Sequence, residues 1–78
     1  MSFTDENIAE LDVLMLFDLS SQQEGIKIHK TAEAAVISAA QRLYDKGFIT
    51  QADGGYLTSR GCEAAEHAQL LFNLLNAN

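Results

Sequence analysis

Four of the five glycines fall between positions 47 and 61, and the order of elements they punctuate restricts what the chain can become. Gly47 follows a helical pattern and suits the left-handed position after a helix. Phe48, just beyond it, can fold back on Leu43, the hydrophobic contact of a Schellman stop. Phe48 to Gln51 and Tyr56 to Thr58 then flank Ala52-Asp53-Gly54-Gly55, and Asp-Gly supplies the positive φ angles that a tight hairpin turn requires. Thr58 closes the second strand and can also cap a last helix. A helix, a hairpin and another helix are therefore predicted in immediate succession.

The upstream half is read by periodicity. Ser2 or Thr4 can cap a first helix, with Asp5, Glu6 and Asn7 placing acceptors and negative charge where free amides favour both. That helix is predicted to run to about Ser20. At about 100° per residue, Ile8, Leu11, Met15 and Leu19 form one stripe, while Val13 and Phe17 lie nearly opposite and Leu14 and Leu16 sit on the flanks. Ser20 to Gly25 contains no apolar residue and predicts a surface loop. Ile26-Lys27-Ile28-His29-Lys30 alternates apolar with polar, the period of a short half-buried strand. Thr31 is the expected cap of a second helix, in which Ala32, Val36, Ala39, Ala40 and Leu43 share a face opposite Ala34, Ser38, Gln41 and Asp45. In the last helix Ala64, Ala68, Leu71 and Leu75 line one side with Ala65 and Phe72 beside them, and Leu70 and Leu74 fall on another, next to Glu63 and His67. The expected class is α+β: three helices and a small antiparallel hairpin, with Ile26 to His29 as a candidate third strand, in one domain spanning 1–78.

Composition narrows the function. A formal charge of −6 points away from phosphate binding, which relies on lysine and arginine displacing counterions. All five basic residues, Lys27, Lys30, Arg42, Lys46 and Arg60, nevertheless lie in the middle of the chain, opposed there by Glu33, Asp45 and Asp53, so the middle is mildly basic and both ends acidic. The single cysteine, Cys62, forms no internal bridge, and a cytoplasmic setting is the expectation. The polar opening Ser2 to Glu6 is no signal peptide, and no apolar run approaches the ~20 residues of a membrane span. Cys62, His67 and His29 are the only soft ligands, and the step from Cys62 to His67 turns about 140° round a helix, so no metal site is expected. No nucleophile with a base, pair of positioned carboxylates or phosphate-cradling loop is present, so neither an enzyme nor a cofactor is expected.

The run Ala40-Gln41-Arg42-Leu43-Tyr44-Asp45-Lys46-Gly47-Phe48-Ile49, followed by Asp53-Gly54-Gly55-Tyr56-Leu57-Thr58-Ser59-Arg60-Gly61, resembles the second half of a winged helix-turn-helix. The resemblance implies a recognition helix that ends at the glycine, a wing hairpin, and a Leu-Thr-x-x-Gly start to the closing helix at Leu57, Thr58 and Gly61. The whole chain is also similar to a family of small, uncharacterised bacterial proteins labelled as DNA-binding. The pattern is abbreviated: only His29 and Lys30 separate Ile28 from Thr31, where a standard winged helix carries another helix.

On that reading the chain is a DNA-binding, transcription-associated protein. Lys27, Lys30, Arg42, Lys46 and Arg60 are candidate phosphate contacts, and Ser38, Gln41 and Arg42 candidate base readers. Surplus apolar residues, Val13, Leu16 and Phe17 on the first helix and Leu70 and Leu74 beside His67 on the last, predict a homodimer through those two helices. The alternative is a protein-interaction module that keeps the scaffold without DNA affinity.

Overall fold

The structure, a computed structural model, describes residues 2–21 and 24–77. Thr4 starts the first helix, α1 (Asp5–Leu14): its hydroxyl accepts the Asn7 amide at 3.0 Å, and the Asn7 side chain accepts the Thr4 amide at 3.1 Å. This reciprocal pairing satisfies two amides that a helix start leaves free.

α1 ends at Leu14, well short of the expected Ser20, and three sets of hydrogen bonds, two local and one distant, explain the stop. The Leu16 amide reaches only to the Val13 carbonyl, tightening the last turn. Asp18 accepts both the amide and the hydroxyl of Ser20, at 2.9 and 2.6 Å, which favours a turn over a helix. The Gln69 side chain donates to the carbonyls of Phe17, at 2.9 Å, and Leu14, at 3.5 Å, satisfying groups the helix end leaves open. Beyond the stop the chain bends back and inserts Phe17 into the core. The expectation that Val13 and Phe17 belong to a surplus outward face is therefore corrected, since they are 0% and 4% exposed. Of Val13, Leu16 and Phe17, Leu16 alone faces solvent.

The candidate third strand forms as β1 (Ile26–Lys27), a two-residue element. A turn follows in which the Ala32 amide bonds the His29 carbonyl, and α2 (Ala34–Asp45) starts behind Glu33 with no side-chain cap. Thr31 lies inside that turn and does not cap the helix, a second correction. At the other end of α2 the Schellman stop is complete: the Phe48 amide bonds the Leu43 carbonyl, the Gly47 amide bonds the Tyr44 carbonyl, and Gly47 has φ +82°.

β2 (Ile49–Gln51) and β3 (Gly54–Leu57) make the expected antiparallel hairpin around Ala52 and Asp53. The positive φ angles sit at Gly54 and Gly55, and the register slips between Ile49 and Gln51, where the Thr50 hydroxyl accepts the Tyr56 amide. β1 pairs antiparallel with β3, so the sheet order is β1-β3-β2. α3 (Ser59–Leu75) then starts at Thr58. The Thr58 hydroxyl accepts the Gly61 amide at 3.1 Å and donates to the Gly47 carbonyl at 2.6 Å, while the Thr58 amide bonds the Phe48 carbonyl.

The fold is α+β, three helices with a three-stranded antiparallel sheet. Its core is Val13, Leu14 and Phe17 from α1 and the turn after it, Ala39, Ala40 and Leu43 from α2, Ile49 from β2, and Ala65 and Ala68 from α3. Four of these nine are alanines, which lets the helices approach closely and leaves Leu43, Ile49 and Val13 as the largest fully buried side chains. Among the described residues no helix is long and apolar enough to cross a membrane.

Thr58→Val removes the acceptor of the α3 cap and the donor to Gly47 while keeping volume, and should cost about 1–2 kcal/mol. Urea unfolding measures this; Thr58→Ser should retain most of the stability, and equal loss in both variants would disprove the role of the hydroxyl.

Candidate functional site

Two complementary ladders meet where α1 crosses α2. Glu6 and Glu10 stand one turn apart on α1, and Arg42 and Lys46 stand one turn apart on α2. The Glu10 carboxylate, 9% exposed, accepts Arg42 Nε at 2.7 Å and Lys46 Nζ at 3.0 Å through one oxygen. Its other oxygen takes a longer bond from Asn7 at 3.4 Å. Arg42 also donates to the Glu6 carbonyl at 3.2 Å and lies 3.7 Å from the Glu6 carboxylate.

Burial pushes the Glu10 carboxyl toward a higher pKa, but hydrogen bonds from Arg42, Lys46 and Asn7 and the charge of Lys46 outweigh it and hold the group below the usual 4.5. A carboxylate depressed in this way contributes stability that is present above its unfolded pKa and is lost as pH falls through the folded value.

The sequence-predicted contacts are not brought to one place. Arg42 and Lys46 turn toward α1 and are taken by Glu10. Gln41 donates its side-chain amide to Asp45 at 3.0 Å along the same helix, and Ser38 lies exposed on the outer side of α2. Lys27 is on the edge strand, Lys30 in the turn after it, and Arg60 on the first turn of α3 with its guanidinium 4.9 Å from the centre of the Phe48 ring. Where α2 faces the hairpin turn, Lys30 and Gln41 share an open cleft with Ile28, His29, Ile37, Ala52 and Asp53. One lysine and one carboxylate line it, over an apolar floor.

A second surface lies between α1 and α3. Ile8, Leu11, Asp12 and Met15 face Ala68, Leu71, Phe72 and Leu75 across a shallow groove of about 170 Å³. Leu70 and Leu74 stand beside it, 57% and 64% exposed, and His67 is exposed one turn before. Of the residues expected to pair two copies, His67, Leu70, Leu74 and Leu16 are outward and Val13 and Phe17 are not.

Sequence reasoning missed Glu10, reading it as one more acidic residue. The i,i+4 spacing of Glu6 with Glu10 and of Arg42 with Lys46 was the available signal, and it says nothing about which helices cross. Among the described residues no group of three or more His, Cys, Asp and Glu could hold a metal ion. Cys62 is a half-buried free thiol.

Glu10→Gln should cost about 1–3 kcal/mol near pH 7, because two cations lose a charged acceptor. As pH falls below 4.5 the wild-type carboxyl protonates and the gap between the two proteins should close. Urea midpoints across pH test this, and a gap that stays constant into acid would show that the charge of Glu10 plays no part.

Residues 1–76 match the model of one family, described as Family of unknown function (DUF5669). No curated protein and no solved structure matches the chain.

Proposed function

We propose that this chain, which belongs to the DUF5669 family, is a non-catalytic protein-interaction domain on an abbreviated winged-helix-like scaffold and does not read DNA. The scaffold reading is supported by the element order, by the sheet order β1-β3-β2, and by the Thr58 cap that launches α3 from the foot of the hairpin. In place of the helix that a standard winged helix carries before its recognition helix, there is a single turn from His29 to Ala32.

The observation that carries the function is the pairing of Glu10 with Arg42 and Lys46. Affinity for a phosphate backbone grows with the number of cations free to replace counterions. The two cations of the would-be recognition helix already have a near-buried partner, and moving them to phosphate would leave that carboxylate unpaired, at a cost of several kcal/mol. The candidate base reader Gln41 is held by Asp45, and the hairpin turn presents Asp53 and no base. With a net charge of −6, long-range attraction to DNA is reversed as well.

The non-catalytic reading is supported by what the two shifted carboxyls touch. Shifted carboxyls concentrate at reactive sites, but here Glu10 is depressed by its ion pair and Asp18 by hydrogen bonds from the Ser20 side chain and amide, both structural. Exposed apolar side chains on the last turns of α3 give the domain a surface suited to another protein. Cytosol is the setting proposed, with Cys62 as a thiol.

The competing reading, a DNA-binding and transcription-associated protein, has one observation in its favour. Lys27, Lys30 and Arg60 enter no ion pair among the described residues. Titration of labelled duplex DNA at several salt concentrations decides between them. No saturable binding is expected even at low salt; affinity that falls steeply with salt and is lost in the Lys27→Ala/Lys30→Ala/Arg60→Ala variant would reverse the proposal.

A further inference from the structure

We infer that the end of α3 pairs two copies of this chain, with Leu70 and Leu74 of one copy seated in the groove between α1 and α3 of the other. This names the partner of the interaction surface proposed above and rests on that reading. The first ground is a change of environment along one helix. Gly61, Ala65 and Ala68 are buried where α3 lies against the body, whereas Leu71, Phe72 and Leu75, toward the same side but further on, are 40%, 51% and 75% exposed.

The second ground is angular. At about 100° per residue, Leu70 and Leu74 stand on one flank, Leu71 and Leu75 follow, and Phe72 lies beyond, so apolar groups cover more than half of the helix circumference, with Gln69 and Asn73 on the remainder. A helix serving a single core needs a narrower stripe. One part of this arc forms a wall of the groove and the neighbouring part projects beside it.

Charge and area then select the occupant. After Glu66 the chain has no Asp, Glu, Lys or Arg, and Asp12 is the one charged residue lining the groove. A partner recognised by charge has little to hold, while a second uncharged leucine arc fits. With side chains of this size presenting somewhat under 200 Å² each when free, the five apolar residues between positions 70 and 75 offer roughly 500 Å². With Ile8, exposed in the wall of the groove, the apolar surface amounts to a large part of the ~800 Å² that each partner contributes to a stable complex. Because the projecting leucines and one wall of the groove adjoin on α3, a two-fold arrangement repeats the contact from the first copy to the second in reverse and closes a pair.

Sedimentation equilibrium of the full chain from about one to a few hundred micromolar tests the pairing. The wild type should approach twice the 8.5 kDa of the chain. Leu70→Glu with Leu74→Glu should sediment as the single chain with its far-ultraviolet helical signal retained, since both side chains already face water. If that variant loses helix, Leu74→Gln alone must still weaken the pair at least ten-fold. A wild type that stays single at every concentration overturns the inference and leaves this face for a different protein, and so does a pair indifferent to both variants or a species that grows beyond two. DNA binding by an intact pair would instead sink the proposed function and leave the pairing standing.

Discussion

A single hydroxyl, that of Thr58, holds the three elements that give this domain its shape. It donates to the carbonyl of Gly47, which ends α2, and accepts the amide of Gly61, which starts α3, while the Thr58 backbone pairs with Phe48 at the foot of the hairpin. Neither glycine is replaceable by a larger residue without adjustment. Gly47 has a positive φ, and at Gly61 a β-carbon would collide with the Phe48 carbonyl. The close approach at Gly61 brings the first turn of α3 onto the start of the hairpin, where Arg60 settles over the Phe48 ring. The placement of α3 relative to α2 follows from these contacts and not from the size of the core.

α1 joins this frame through polar contacts near its middle and beyond its C-terminal end. Gln69 of α3 holds the carbonyls at the C-terminal end, and Glu10, near the middle, ties the helix to α2 through Arg42 and Lys46. Between them Val13, Leu14 and Phe17 supply the apolar contact. Desolvating a carboxylate costs several kcal/mol, and here the two cations more than return it, so the charge of Glu10 adds a modest net stability and also fixes orientation. It also commits two of the five basic residues to one carboxylate, with Arg42 partly buried and Lys46 half exposed.

The sequence was most legible where the chemistry is local. The Gly47 stop, the Asp53-Gly54 hairpin and the Thr58 cap depend on neighbours within a few positions, and all three appear in the structure. The third strand was legible from its alternation, though it shortens to Ile26 and Lys27. α1 was misread beyond Leu14 because part of its termination comes from Gln69, more than fifty positions away, and no periodicity records that. The misreading had a specific effect on the candidate surface. Continued as a helix, Phe17 points outward with Val13; bent back after Leu14, the chain buries both, and the stripe that looked like core, Ile8 with Leu11 and Met15, becomes one wall of the open groove. Leu70 and Leu74 were legible as outward because α3 continues unbroken to Leu75.

The side chains along α3 change size in step with what lies beside them. Small residues, Gly61, Ala65 and Ala68, occupy the half that α1 and the hairpin crowd, and leucines with a phenylalanine occupy the half that borders the open groove against α1. Crowding explains the first half completely, since a larger group there would push the helix off the sheet. It does not explain the second, where polar residues would serve a lone helix equally well and each buried leucine is worth about 1.5–3 kcal/mol that solvent exposure forgoes. The first half therefore answers to the chain's own body, and the second to the partner copy that we infer above.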